Sequence, residues 1–150
     1  PSIPDALCST MVLAVVDPVA GEAVYLRAGH PPPVLAGRHG ARLLDGALAP
    51  PLGVTGGARK HAAFVHLQPG DALVLVTDGV VERRGEPVDV GIERLRAVAE
   101  LAVGDEGCEA DAVVDAVVEQ LLVHGEHADD AAVVVVCFAG APDRSPAPVP

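Results

Sequence analysis

Aromatic side chains are almost missing from this chain: no Trp, one Tyr and two Phe make up 2% of its 150 residues. The core must therefore be built from Val, Leu and Ala. Basic residues are scarce as well. Ten Lys and Arg stand against 21 Asp and Glu, a formal net charge of −11. A nucleic-acid surface needs the opposite balance, so no nucleic-acid partner is expected. An acidic chain suits divalent cations or basic partners. Cysteine is limited to Cys8, Cys108 and Cys137, with no short spacing among them. They form no zinc motif, and an odd count argues against a disulfide framework, which points to reduced thiols and a cytoplasmic setting. Long apolar runs are lacking too. The longest, Ala131 to Ala139, has nine residues, far short of the ~20 that span a bilayer, so no membrane insertion is expected. No signal peptide is visible. The chain begins at Pro1 rather than Met and is read as a piece of something longer.

Apolar residues, by contrast, make up 50% of the chain, alongside 16 Gly and 14 Pro. That is enough to bury one sizeable core, and the length suits one domain rather than two. Residues 9–16 and 22–28 read as two strands around the turn Asp17-Pro18 to Gly21, a hairpin by spacing. Pro31, Pro32 and Pro33 make a rigid connector. Short strands are expected at 34–36 and 41–44, a loop over 45–60, and a strand from His61 through Leu67. After the turn at Pro69-Gly70-Asp71, residues 72–77 (ALVLVT) form a continuous apolar strand, expected to be buried on both faces. Ile92, Leu95, Val98, Ala99 and Ala102 mark one helix face, stopped by Gly104. Ala110, Val113, Val114, Val117, Val118 and Leu121 mark a second, ended by Gly125. A Val-rich strand at 131–138 follows, with Cys137 read as core. Residues 1–140 are assigned to one domain, and the Pro-rich 141–150 to a disordered tail. Strands joined by hairpin-length turns, then two helices and a last strand, describe an α+β fold with a mostly antiparallel sheet.

Two acidic positions stand out. Asp78 lies where a buried strand runs out into Gly79, and Asp129 and Asp130 lie just before the last strand. If these strands are antiparallel neighbours, the end of one lies beside the start of the other, and the carboxylates meet at one sheet edge. Clustered carboxylates repel unless a cation sits between them, and hard oxygen ligands favour Mg²⁺ or Mn²⁺. The plainer reading is a turn at Asp78-Gly79 and a solvated loop at Asp129-Asp130. Gly29-His30-Pro31-Pro32 is the other unusual feature, either a stiff loop with an exposed His or a site element. Glu93, Glu100, Asp111, Asp115 and Glu119 fall mostly off the apolar stripes and read as a solvated face.

These residues also carry a resemblance. Val15-Val16-Asp17-Pro18 through Gly21, Tyr25 and Ala28-Gly29-His30-Pro31-Pro32-Pro33 resembles the "LDP-x-TG-x-L-x-Y-x-NAGHPPP" segment of the SpoIIE- and RsbU-type bacterial serine phosphatases, within the metal-dependent type 2C protein phosphatase superfamily. Pro51-Leu52-Gly53-Val54 resembles their "PLGV" loop. Leu67-Gln68-Pro69-Gly70-Asp71 through Thr77-Asp78-Gly79-Val80 and Glu82 resembles "LxPGDxLLLYTDGLxE". Gly91-Ile92-Glu93-Arg94-Leu95 resembles "FGxERL", and Asp129-Asp130-Ala131-Ala132-Val133 resembles the closing "DDxTVL" or "DDIALL". Each is weak alone; in family order from residue 8 to 139 they are strong together.

The resemblance implies an antiparallel β-sandwich flanked by helices, incomplete at its N-terminus. It implies that Asp78 and Asp129 hold metal, with Asp130 beside them, and that Gly79, Gly29 and His30 lie near the site. Two Mn²⁺ or Mg²⁺ ions would serve hydrolysis of phosphoserine or phosphothreonine without a phosphoenzyme. The implied partners are a phosphorylated regulatory protein, such as an anti-sigma factor antagonist, and an upstream sensor or signalling domain. Nothing in residues 1–8 resembles the family's first metal motif, "GDVxGHG". The fragment is therefore expected to be inactive alone, either through truncation or as a regulatory pseudophosphatase. A haloacid-dehalogenase-type site needs a DxD that Val76 and Val80 exclude. A non-catalytic β-sandwich binding module would leave Asp78, Asp129 and Asp130 unexplained.

Overall fold

A computed structural model of the chain describes residues 8–54, 61–104, 107–123 and 130–140. Strands β1 (Met11–Asp17) and β2 (Glu22–Ala28) pair as an antiparallel hairpin running from Met11↔Ala28 to Asp17↔Glu22. Asp17 shapes the turn: its Oδ1 accepts the N–H groups of Val19 and Ala20 at 2.9 and 3.0 Å. Gly21 closes the turn at φ 65°, a left-handed conformation that costs glycine no Cβ clash. Strands β3 (Val34–Gly37) and β4 (Gly40–Leu43) form a second hairpin. The two-residue β5 (Leu48–Ala49) runs parallel to the end of β2, and β6 (Ala63–His66) runs antiparallel to its start. Strand β7 (Ala72–Val76) pairs antiparallel with β3 on one side and with β8 (Val133–Cys137) on the other. Two four-stranded sheets result: β2 flanked by β1 on one side and by β5 and β6 on the other, and β4-β3-β7-β8.

Among the described residues three helices lie between β7 and β8: α1 (Asp78–Val81), α2 (Val88–Val103) and α3 (Ala110–Val117), the last continuing into a π turn at Val118–Leu122. Side chains alternate across a strand, and the second sheet uses both faces. Leu35 and Leu73 point to the first sheet and pack with Ala23, Tyr25, Val65 and Phe138. Val34, Val74 and Val76 point the other way, onto Leu95 and Val98 of α2, Val113 of α3 and Leu121. The layers are therefore sheet, sheet, helices. Among the described residues, helices cover only the second sheet. The outer face of the first leaves Leu13, Val15 and Phe64 exposed, Phe64 at 76%.

The hairpins, the buried β7, the α2 face and the antiparallel β7–β8 pair agree with the sequence reading. The short α1 starting at Asp78 was not expected. Nor was the π turn, where a regular helix was. There the Val123 N–H reaches the Val118 carbonyl at 3.1 Å, while Arg83 Nη2 donates to the Leu121 carbonyl at 3.2 Å. An arginine from outside the helix partners a carbonyl of the widened turn. The expected tail at 141–150 and the helix stop at Gly125 lie outside the described residues.

The cysteine reading needs correction. Cys108, just before α3, and Cys137, at the end of β8, form a disulfide with Cα atoms 5.5 Å apart, and Cys8 is free and exposed. Helix α3 packs on β8 and brings together residues 29 apart in sequence. An odd count excludes full pairing and nothing more. Protein purified without reductant should show one titratable thiol after unfolding, and three after reduction.

Gly91 shows why α2 can lie against α1. It is buried, and a Cβ there would overlap the carbonyl oxygen of Val81. Alanine is the better helix former by about 1 kcal/mol, yet overpacking a buried contact costs about 1–3 kcal/mol or more. Because the overlapped atom is backbone, it cannot rotate away. Gly91→Ala should therefore lower the free energy of unfolding in urea by up to about 2 kcal/mol; a gain would contradict the close approach.

Candidate functional site

The antiparallel register of β7 and β8 ends at Val76↔Val133. Past that pair the chain leaves the sheet on both sides, toward Asp78 in one direction and Asp130 in the other. The two strands stay tied beyond the ladder. The Thr77 N–H donates to the Ala132 carbonyl at 3.0 Å, the Ala132 N–H donates to Thr77 Oγ1 at 2.8 Å, and Thr77 Oγ1 donates to the Asp130 carbonyl at 3.4 Å. Asp78 is the first residue of α1 and half-buried, and its Oδ1 accepts the Gly79 N–H at 3.0 Å. Its carbonyl accepts the Glu82 N–H at 2.8 Å, which closes the helical turn. Asp130 is exposed. The structure thus brings Asp78 and Asp130 to one end of one strand pair. Asp129 lies outside the described residues.

The Gly29 and His30 segment belongs to a different network, at the end of β2 in the first sheet. Gly29 has φ 65° and donates its N–H to the Ala49 carbonyl at 2.9 Å. His30 Nδ1 lies 3.4 Å from the Pro31 carbonyl oxygen. Beneath them sits Arg27, 6% exposed, which sequence reasoning missed. Its guanidinium donates to the carbonyls of Asp45, His30 and Gly46 at 2.6, 3.1 and 3.3 Å. Burial lowers its pKa, opposed by the charges of Tyr25 and Asp45. Arg27 is therefore a structural cation that fastens the proline loop to the segment after β4. No sequence signal separates it from a surface arginine except its place on an inward-alternating strand.

The loop after α1 carries a second charged cluster. Arg94 Nη2 meets Glu86 Oε1 at 2.7 Å. Arg83 Nε and Glu86 Oε2 are buried with no hydrogen-bond partner among the described residues. Grooves of about 390 and 440 Å³ lie elsewhere: one at the β3–β4 hairpin beside Asp71 and Arg96, the other around Cys108. Neither is lined by Asp78 or Asp130. Asp71 precedes β7 and Asp78 follows it, so the first groove sits at the opposite end of that strand.

The donor chemistry of the acidic end fits a hard divalent cation: the carboxylate oxygens of Asp78 and Asp130 lie at one end of one strand pair. Among the described residues no three His, Cys, Asp or Glu side chains gather as a complete metal site. No helix there is long and apolar enough to cross a membrane.

Comparison with known proteins finds this fold of two stacked sheets with helices over one of them again, and shows the family to which the chain belongs. The family of stage II sporulation protein E (SpoIIE) matches residues 2–139, and the chain belongs to that family. The solved structure of the RsbU and RsbW domains of a Mycobacterium tuberculosis protein matches with a TM-score of 0.77 and 28% identity, over 93% of this chain and 40% of that one. The Mn-presoaked phosphatase domain of the cell fate determinant SpoIIE from Bacillus subtilis matches with a TM-score of 0.67 and 22% identity, over 95% of this chain and 62% of that one. PppA, a regulatory component of T6SS in Pseudomonas aeruginosa, matches with a TM-score of 0.60 and 20% identity, over 86% and 57%. The chain thus spans between 40% and 62% of these solved chains.

The Glu86–Arg94 pair makes a pH prediction. The hydrogen bond from Arg94 holds the Glu86 carboxyl below its ordinary range, helped by the charges of Arg94 and Arg83 and opposed by burial. A depressed folded-state pKa stabilises above the unfolded value and is lost as pH falls through the folded one. Its contribution should therefore be intact at neutral pH and be lost as the pH falls through the lowered folded-state value. In an NMR titration, Arg94→Gln should move the Glu86 midpoint upward; an unchanged midpoint would show that the pair does not set it.

Proposed function

We propose that this chain is the strand-and-helix portion of a metal-dependent protein serine/threonine phosphatase, acting on phosphoserine or phosphothreonine of a bacterial regulatory protein. An anti-sigma factor antagonist is the kind of substrate this reading favours. The observation that carries it is the β7–β8 end, where Thr77 ties the segment bearing Asp78 to the segment bearing Asp130. Asp78 and Asp129, with Asp130 beside them, are the residues proposed to hold Mn²⁺ or Mg²⁺. When bound, such ions lower the pKa of a coordinated water and neutralise phosphoryl oxygens. The chain's own part is to fix the carboxylates on rigid backbone, so that little reorganisation is needed when substrate arrives. Gly79 offers no side chain to block the approach. Gly29 and His30 are proposed to border the site from the first sheet.

In this reading the remaining ligands come from a segment ahead of residue 8, and the 150-residue chain alone is inactive. The span of 40–62% of the matched solved chains supports that division. The proposed setting is cytoplasmic, downstream of a sensor or signalling domain, where the Cys108–Cys137 bond would be open to reduction.

Asp78→Asn tests the reading in the complete protein. Amide for carboxylate keeps the shape and removes the charge. Phosphate release from a phosphoserine peptide at saturating Mn²⁺ should fall by more than the roughly 10–100-fold that loss of an outer-shell partner costs, with the circular dichroism unchanged. If Asp78 merely starts a turn, Asn serves equally well. Near-normal turnover in the folded variant would overturn the assignment.

A further inference from the structure

Thr77 occupies the N-cap position of α1, yet its side chain makes no capping bond to the helix. Its hydroxyl is engaged across the strands instead. In an antiparallel hydrogen-bonded pair, two facing residues exchange both N–H···O=C bonds. At Thr77 and Ala132 only one of the two is backbone to backbone: the Thr77 N–H reaches the Ala132 carbonyl at 3.0 Å. The other runs from the Ala132 N–H to Thr77 Oγ1 at 2.8 Å. The side chain thus stands in for the Thr77 carbonyl. That carbonyl is free to turn away, and it accepts the Val80 N–H at 3.1 Å as the first bond of α1. The same hydroxyl donates its own hydrogen toward the Asp130 carbonyl at 3.4 Å.

We infer that Thr77 is a positioning residue for the acidic site: its hydroxyl sets the spacing between Asp78 and the segment bearing Asp130 while the backbone changes from strand to helix. Without that hydroxyl the Ala132 N–H loses its partner. Of the ties beyond the ladder, the Thr77 N–H to the Ala132 carbonyl then remains, next to Asp78 and two residues from Asp130. The inference rests on the proposed metal-holding role of Asp78.

Three variants of the complete protein test it: Thr77→Val, which keeps the branched shape and loses the hydroxyl, Thr77→Ser, which keeps the hydroxyl, and Asp78→Asn. The readouts are hydrogen exchange of the Ala132 amide and Mn²⁺ affinity by calorimetry. Thr77→Val should speed Ala132 exchange and weaken Mn²⁺ binding roughly 10–100-fold, as loss of an outer-shell partner does. Thr77→Ser should restore both. A Thr77→Val protein that binds Mn²⁺ like the parent, beside a weakened Asp78→Asn, would overturn the role of Thr77 and leave the metal reading standing. Unweakened binding in Asp78→Asn would overturn the metal reading itself. Should Thr77→Val fail to fold, Thr77→Ser decides: parental Mn²⁺ affinity supports the hydroxyl, and weakened affinity in a folded protein refutes it.

Discussion

The pairing of β7 with β8 is the constraint on which the rest of the molecule depends. All three helices lie between these strands in sequence, so forming the pair closes a long loop, and that entropy is recovered only through burial. Val74 and Val76 of β7, fully or nearly fully buried, pack with Val113, Val117 and Leu121 from the far end of the helical excursion. The pair is fastened at both ends by different chemistry. At one end the Gly70 and Phe138 N–H groups reach the carbonyls of Phe138 and Asp71, each at 2.8 Å, while Asp71 Oδ2 accepts the Gln68 N–H. At the other end Thr77 makes the fastening. A slip of one residue would turn Val74 and Val76 away from the helices and move the acidic segments out of line together. Core and site therefore share one register.

Much of this was legible in the sequence because it rests on local chemistry. Asp17-Pro18 with Gly21 marks a hairpin that the Asx-type bonds of Asp17 enforce. The stripe from Ile92 to Ala102 reads as a helix face, since Leu95, Val98 and Ala99 are its buried members. The meeting of Asp78 with the segment before β8 was legible as well, because it follows from strand polarity alone. What stayed hidden depends on partners far apart in sequence. The π turn needs Arg83, 38 residues before Leu121. The disulfide needs α3 to dock on β8. Arg27 reads as a solvated charge until three carbonyls from two loops are seen to surround it. Thr77 reads in the sequence as the last residue of an apolar strand; only the structure shows a helix beginning after it and its hydroxyl engaged across to the segment before β8.

The two sheets have unequal surroundings. The central strands β3 and β7 of the second are covered on both faces, which is why β7 reads as an unbroken apolar run. The first is buried on its inner face only, and its outer face carries the exposed Leu13, Val15 and Phe64 beside the Glu22–His66 pair. An antiparallel sheet that faces water shows polar residues there, and contiguous exposed apolar surface marks contact with something else. Strand β1 thus carries apolar residues on both faces, Ala14 and Val16 inward and Leu13 and Val15 outward. That is the pattern of a sheet between two layers. Within the described residues only one of those layers is present.

The strand-to-helix change at Thr77 also bears on why the acidic site sits at this end and not the other. A strand that continued would place Asp78 opposite Ala131, its side chain standing off the sheet face. A helix that began later would carry the carboxylate out into solvent on a loop. Beginning α1 at Asp78 holds its Cα at the sheet boundary, with Gly79 buried behind it and Val80 and Val81 anchored at 1% exposure. Gly91 then lets α2 lie directly on the end of α1. Each step from Val81 back to Asp78 is fixed by packing rather than by charge. A carboxylate held in this way needs no ionic partner to keep its place, which is what the proposed metal-holding role asks of Asp78.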